Sequence, residues 1–169
     1  MQTFTKILAV VGSIETIVLI IGIVWAICLW LKGISPALLR LGNGLAKRKV
    51  AIFAKGDNLS SMRQLLLDSK LFNKRNICEI IKKEDIGIAE QATLYIVFWH
   101  DWADCISDIL RKKSDSCPLI VYAPRSLGPI PEDQMKNLDE HRHTAVTNFR
   151  GRLLNDIVTA MITTSYEKN

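Results

Sequence analysis

Residues 93–99 read TLYIVFW. The run is short, carries no charge and does not alternate between apolar and polar positions. Continuous apolar strands belong to parallel sheets whose two faces are both covered. This run is the most apolar of its kind in the chain, which places it at the centre of a sheet. Shorter runs of the same character stand on either side: VAIFA at 50–54, ICEII at 77–81, PLIVYA at 118–123 and TAVTNF at 144–149. Helical periods lie between them. Residues 58–69 carry Met62, Leu65 and Leu66 on one side, and Asn58 or Ser60 can cap them. A helical turn covers 85–91. Residues 103–112 turn Ile106, Ile109 and Leu110 inward, 132–140 form a short helix, and 152–164 close the chain with Leu153, Leu154, Ile157, Val158 and Met161 inward. Strand and helix alternate through residues 47–169. The reading is an α/β domain with a five-stranded parallel, doubly wound sheet of order 2-1-3-4-5.

The chain has 169 residues, 49% of them hydrophobic, and a formal charge of +5. That composition excludes disorder, and no RNA-binding aromatic motif or finger spacing accompanies the charge, so no nucleic-acid polymer is expected as a partner. The apolar residues concentrate at 7–31, ILAVVGSIETIVLIIGIVWAICLWL, which contains one charge. As a helix this run is roughly 37 Å long, enough to cross a hydrocarbon core of about 30 Å. A cleaved signal peptide has a shorter apolar region and a small-residue cleavage site, and Trp30-Leu31-Lys32 is a poor one. The expectation is a single-pass transmembrane helix at 7–31, a juxtamembrane linker at 32–46 and a cytoplasmic domain at 47–169. Only Lys6 precedes the span, whereas Lys32, Arg40, Lys47, Arg48 and Lys49 follow it. The positive-inside bias puts the N-terminus outside the inner (plasma) membrane. The basic triplet 47–49 reads as that topology signal and as a contact to anionic lipid.

Glu15 is the charge within the span. Gly12, Leu19, Gly22 and Ala26 share its helical face, and small residues let helices approach closely. Two readings are open. Either Glu15 lies inside a homo-oligomer, or it is protonated or reaches the outer interface.

In a doubly wound sheet, ligands bind beyond the carboxyl ends of the strands. After strand one, Lys55, Asp57, Asn58, Ser60 and Ser61 surround a glycine at a helix N-terminus, where phosphate can be held; ordinary helix capping is the alternative. After strand three come Trp99, His100, Asp101, Trp102 and Asp104. A base could stack on indole and His100 could titrate near neutrality; alternatively Asp101 caps a helix and the indoles pack inside. After strand four, Arg125 and Ser126 sit in a stiff proline-rich loop, with Arg125 suited to an anion. After strand five, Arg150 and Arg152 open the last helix, where cations are locally disfavoured unless an anion or Asp156 pairs with them. His141-Arg142-His143 lacks further ligands at metal spacing, so no metal site is expected. Cys28, Cys78, Cys105 and Cys117 form no CxxC pair and fit reduced thiols.

The stretches VAIFAKGDNLSS at 50–61, ATLYIVFWHDWADCISDIL at 92–110 and NFRGRLLNDI at 148–157 resemble the TIR-like branch of flavodoxin-like domains. Membrane anchors joined to such domains resemble bacterial antiviral effectors. The resemblance implies a soluble domain that binds a nucleotide-type signal, and a membrane part that then oligomerises and breaches the bilayer. Enzymatic TIR domains hydrolyse NAD with a Glu four residues after a Trp. Trp102 stands at the Trp-like position, but Ile106 stands where the Glu is expected, so no catalytic residue is assigned. The alternatives are a membrane-tethered NAD- or nucleoside-processing enzyme using His100, Asp101 or Asp104, and a protein-binding scaffold. No cofactor beyond the nucleotide ligand is expected.

Overall fold

The structure, a computed structural model, describes residues 15–33 and 48–165. The chain divides into two units, Met1–Gly42 and Asn43–Asn169. In the first, helix α1 (Glu15–Gly33) has 19 residues, with a mean hydropathy of 2.2 over its most apolar window. Its length is about 28 Å, so it is long and apolar enough to cross a membrane. All of its described residues are exposed. Glu15, Leu19, Gly22 and Ala26 lie along one face of it. Gly12 and the remainder of 7–14 lie outside the described residues, as do linker residues 34–46 and Lys47.

The second unit holds a five-stranded sheet of order β2-β1-β3-β4-β5. Its strands are β1 (Val50–Phe53), β2 (Ile77–Ile80), β3 (Leu94–Phe98), β4 (Leu119–Tyr122) and β5 (Thr144–Thr147). Every neighbouring pair is parallel, with Val50 opposite both Ile77 and Leu94, and Tyr95 opposite Leu119. The helices are α2 (Gly56–Asp68), α3 (Trp99–Trp102), α4 (Ile106–Lys112), α5 (Glu132–Asp139) and α6 (Arg150–Ser165). The alternation of side chains along each strand feeds two separate cores. Val50, Ile52, Ile96 and Ile120 pack with Leu59, Met62 and Leu66 of α2 and Leu153, Ile157 and Met161 of α6. Ala51, Phe53, Tyr95, Val97 and Val121 pack with Ile86 and Ala89 of the 3-10 segment Lys83–Gln91, Ile106 and Ile109 of α4, and Leu138 of α5. The central strands are buried on both faces, and helices cover both.

The largest departure from the sequence reading falls at the end of β3. Trp99 does not extend the strand but opens α3. The expected helix 103–112 starts earlier and is broken by a 3-10 turn at Ala103–Cys105. One helical turn brings Trp99 and Trp102, three residues apart, to the same side, and both rings enter the core beneath α4. The apolar character continues across the boundary from strand to helix, so the sequence does not mark it.

Two of the three basic residues at 47–49, Arg48 and Lys49, have partners inside the domain. The Arg48 guanidinium donates to Thr164 Oγ1 at 3.2 Å and is half-buried, which lowers its pKa from the ordinary value. Lys49 Nζ donates to Gln91 Oε1 at 3.3 Å. Arg48 is therefore a tie to α6, where the sequence suggested a lipid contact.

At the same end of the sheet, the ammonium group of the buried Lys113 donates to the carbonyls of Cys117 and Arg142, each at 3.0 Å. It joins the approaches to β4 and β5. Burial lowers its pKa. The unfolded chain then binds more protons in the alkaline range. The cost of keeping the ammonium charged is present at neutral pH and fades as pH rises toward the ordinary lysine pKa of about 10.4. Lys113→Met should cost about 1–2 kcal/mol at neutral pH, because two carbonyls lose their donor. Urea unfolding at a series of pH values should show the gap between wild type and variant widening in favour of wild type as the solution becomes alkaline.

Candidate functional site

The topology reverses between β1 and β3, and the loops leaving these two strands meet there. Gly56 has a φ of +50°, a conformation that disfavours any side chain, and this turns the chain from β1 directly into α2. The turn aims the backbone N–H of Lys55 at Asp101. The Asp101 carboxylate accepts from that N–H at 2.8 Å and from Asn58 Nδ2 at 3.2 Å. Lys55 Nζ lies 5.4 Å from the centre of the Trp102 ring. The crevice at the switch point is thus bridged by the protein's own anion. The capping roles expected of Asn58 and Ser60 are not found. Lys55 is the N-cap of α2 without a side-chain bond, Asn58 serves Asp101, and the Ser60 hydroxyl donates to Gly56 O at 3.4 Å.

Asp57 is exposed in the first turn of α2, where a negative charge suits the helix end. Arg150 crosses to α2: its guanidinium donates to Ser61 Oγ and, at 3.1 Å, to Ser61 O. Arg152 pairs with Asp156 at 3.8 Å. His100 is exposed, its ring 6.1 Å from that of Phe98. Trp99 is 4% exposed and Trp102 2%. Their faces are taken up by protein, Trp102 standing edge-on to Phe53 at 5.4 Å, so the open stacking surface expected there is absent. Asp104 is exposed, while Asp108 pairs with Lys83 at 2.8 Å and Arg111 at 2.9 Å. The hydrogen bond from Lys83 holds the Asp108 carboxyl below its ordinary pKa. Ile106, at the position where a TIR hydrolase carries its glutamate, is 2% exposed and faces the core rather than the crevice.

The open space at this edge lies elsewhere. A cleft of about 380 Å³ sits beyond the carboxyl ends of β4 and β5, within the size range of small-molecule sites. Ile130, Met135 and Val146 give it apolar walls, and Arg125 and Asn148 bring polar groups. The Arg125 guanidinium stacks over the exposed Phe149 ring at 4.8 Å, and Ser126 is exposed beside it in the 3-10 turn Arg125–Leu127. Gly128 leaves that turn with a φ of +100°. Asn148 and Phe149 escaped the sequence reading because they appeared to continue strand five. β5 stops at Thr147, which frees Asn148 to line the cleft and Phe149 to lie against the Arg125 guanidinium. Among the described residues no group of His, Cys, Asp and Glu could hold a metal ion.

Fold and site together define a parallel α/β domain with an open cleft on its carboxyl edge, carried by a chain that also contains an apolar helix. The chain matches no protein-family model, and neither curated proteins nor solved structures show significant similarity to it.

Proposed function

We propose that the α/β domain is a sensor for a nucleotide-type anion, held at a membrane by α1. The cleft at the ends of β4 and β5 carries this reading. It pairs a cationic, planar guanidinium suited to phosphate, braced on the Phe149 ring, with apolar walls suited to a base. Arg125 is the phosphate-binding residue, Asn148 a base- or ribose-reading group, and Ser126 an additional donor. Occupancy of the cleft reorganises a homo-oligomer whose Glu15-bearing helices perturb the bilayer, with the N-terminus outside and the α/β domain in the cytoplasm. The TIR-like resemblance supports a role as an antiviral membrane effector. The length and hydropathy of α1 support its use as the anchor.

Thermal melting of the detergent-solubilised chain with NAD, mononucleotides and cyclic oligonucleotides tests the sensor. A ligand at about 100 times its Kd adds roughly 2.7 kcal/mol and raises Tm by several degrees. Arg125→Ala should cut that shift to about half or less at the same ligand concentration, since a hydrogen-bonded charge contributes about 1.5–3 kcal/mol. The absence of a shift for every compound would favour the scaffold reading.

A further inference from the structure

At the amino-terminal edge of the sheet, opposite the cleft, exposed cations gather. The segment before β2 presents Lys70, Lys74 and Arg75, all exposed. Lys49, in front of β1, adds a fourth cation whose hydrogen-bond partner is the neutral Gln91. Register places these groups at one end, because Val50 of β1 lies opposite Ile77 of β2. Of the carboxylates nearby, Glu79 pairs with Arg63 at 3.2 Å and Glu90 with Lys112 at 2.8 Å, while Asp68 accepts from the neutral Gln64 at 2.7 Å and Asp85 stands near Cys78. Apolar groups stand among the cations: Leu71 is 37% exposed and Ile88 is 55% exposed. Lys49, Arg75, Ile77 and Ile88 line a shallow depression of about 250 Å³ there.

From this arrangement we infer that the amino-terminal rim docks on anionic phospholipid headgroups. Exposed cations interleaved with exposed aliphatic side chains match an interface that is negatively charged outside and apolar just beneath. Arg48, the first described residue of the domain, also stands at this edge, in front of β1. Docking here turns the carboxyl edge, with its cleft, away from the bilayer and toward soluble ligand. The inference rests on α1 serving as the anchor.

The test is amide hydrogen exchange on the full chain reconstituted in two kinds of vesicle, phosphatidylcholine alone and phosphatidylcholine with about 30% phosphatidylglycerol. Exchange across residues 70–76 should slow about fivefold or more in the anionic vesicles. The slowing should be lost in the Lys74→Glu, Arg75→Glu double variant, and exchange across 124–131 should not change. Equal exchange in both vesicles, or slowing that survives charge reversal, overturns the docking surface. Resistance to alkaline carbonate extraction reports the anchor separately. A chain that stays in the membrane yet exchanges equally in both vesicles keeps its anchor and loses this surface.

Discussion

Trp102→Ala should lower the stability of the α/β domain by about 3–5 kcal/mol, the usual cost of deleting a fully buried large aromatic. For a domain of this size the melting temperature should fall by roughly 10 °C or more. The ring fills the space between β1 and α4, meets Phe53 edge-on at 5.4 Å and lies under the Lys55 ammonium. Removing it leaves a cavity that strands on one side and helix on the other cannot collapse to fill. Trp102→Phe should cost far less, about 1–2 kcal/mol, because an aromatic group remains. The indole Nε1 has no hydrogen-bond partner among the described residues, so its loss carries little penalty. Circular dichroism melting of the three proteins checks both figures. The result separates two roles for the indole. A ring used to stack a ligand would leave Tm almost unchanged when removed and would lose binding instead. A core ring does the reverse, and nucleotide binding at the Arg125 cleft should leave the fluorescence of buried Trp99 and Trp102 nearly unchanged.

The sheet was legible in the sequence because its physics is local. A parallel strand buried on both faces has to be apolar at every position, and 50–53, 94–98 and 119–122 are. The order rests on the five-strand size of the domain, since right-handed crossovers are shared by every doubly wound order. What the sequence hid depends on partners far along the chain. Asp101 serves Lys55 and Asn58, Arg150 serves Ser61, and Arg48 serves Thr164, and no local pattern announces any of these pairs. Trp99 was misplaced for a different reason. Burial demands apolar side chains equally from the last turn of strand and the first turn of helix, so composition cannot mark the change. The cleft suffered similarly: Asn148 and Phe149 continue a strand-like pattern, and only the end of pairing with β4 at Thr147 frees Asn148 to line the cleft and Phe149 to lie against Arg125.

Asp101→Ala should destabilise the domain by about 2–3 kcal/mol, since a carboxylate that accepts a backbone N–H and a side-chain amide contributes more than a neutral acceptor. The Lys55 N–H and the Asn58 amide would both lose their partner at the point where the chain turns through Gly56 into α2. Asp101→Asn should cost less than half as much. Its carbonyl can still accept from Lys55, and Asn58 can rotate its own amide to present oxygen to the new NH2 group. Urea unfolding of both variants checks the order. The same pair decides where the ligand sits. In doubly wound folds the backbone donors after the first strand commonly receive a ligand phosphate. Here Asp101 already takes one of them, the Lys55 N–H, so an incoming phosphate would have to displace a carboxylate held by two donors and would meet its charge. On the proposed reading the ligand belongs to the Arg125 cleft, so Asp101→Ala, though less stable, should keep the full ligand-induced rise in Tm that Arg125→Ala largely loses. If instead Asp101→Ala loses the rise and Arg125→Ala keeps it, the site is the switch-point crevice, and Asp101 is one of its recognition groups rather than the plug that fills it.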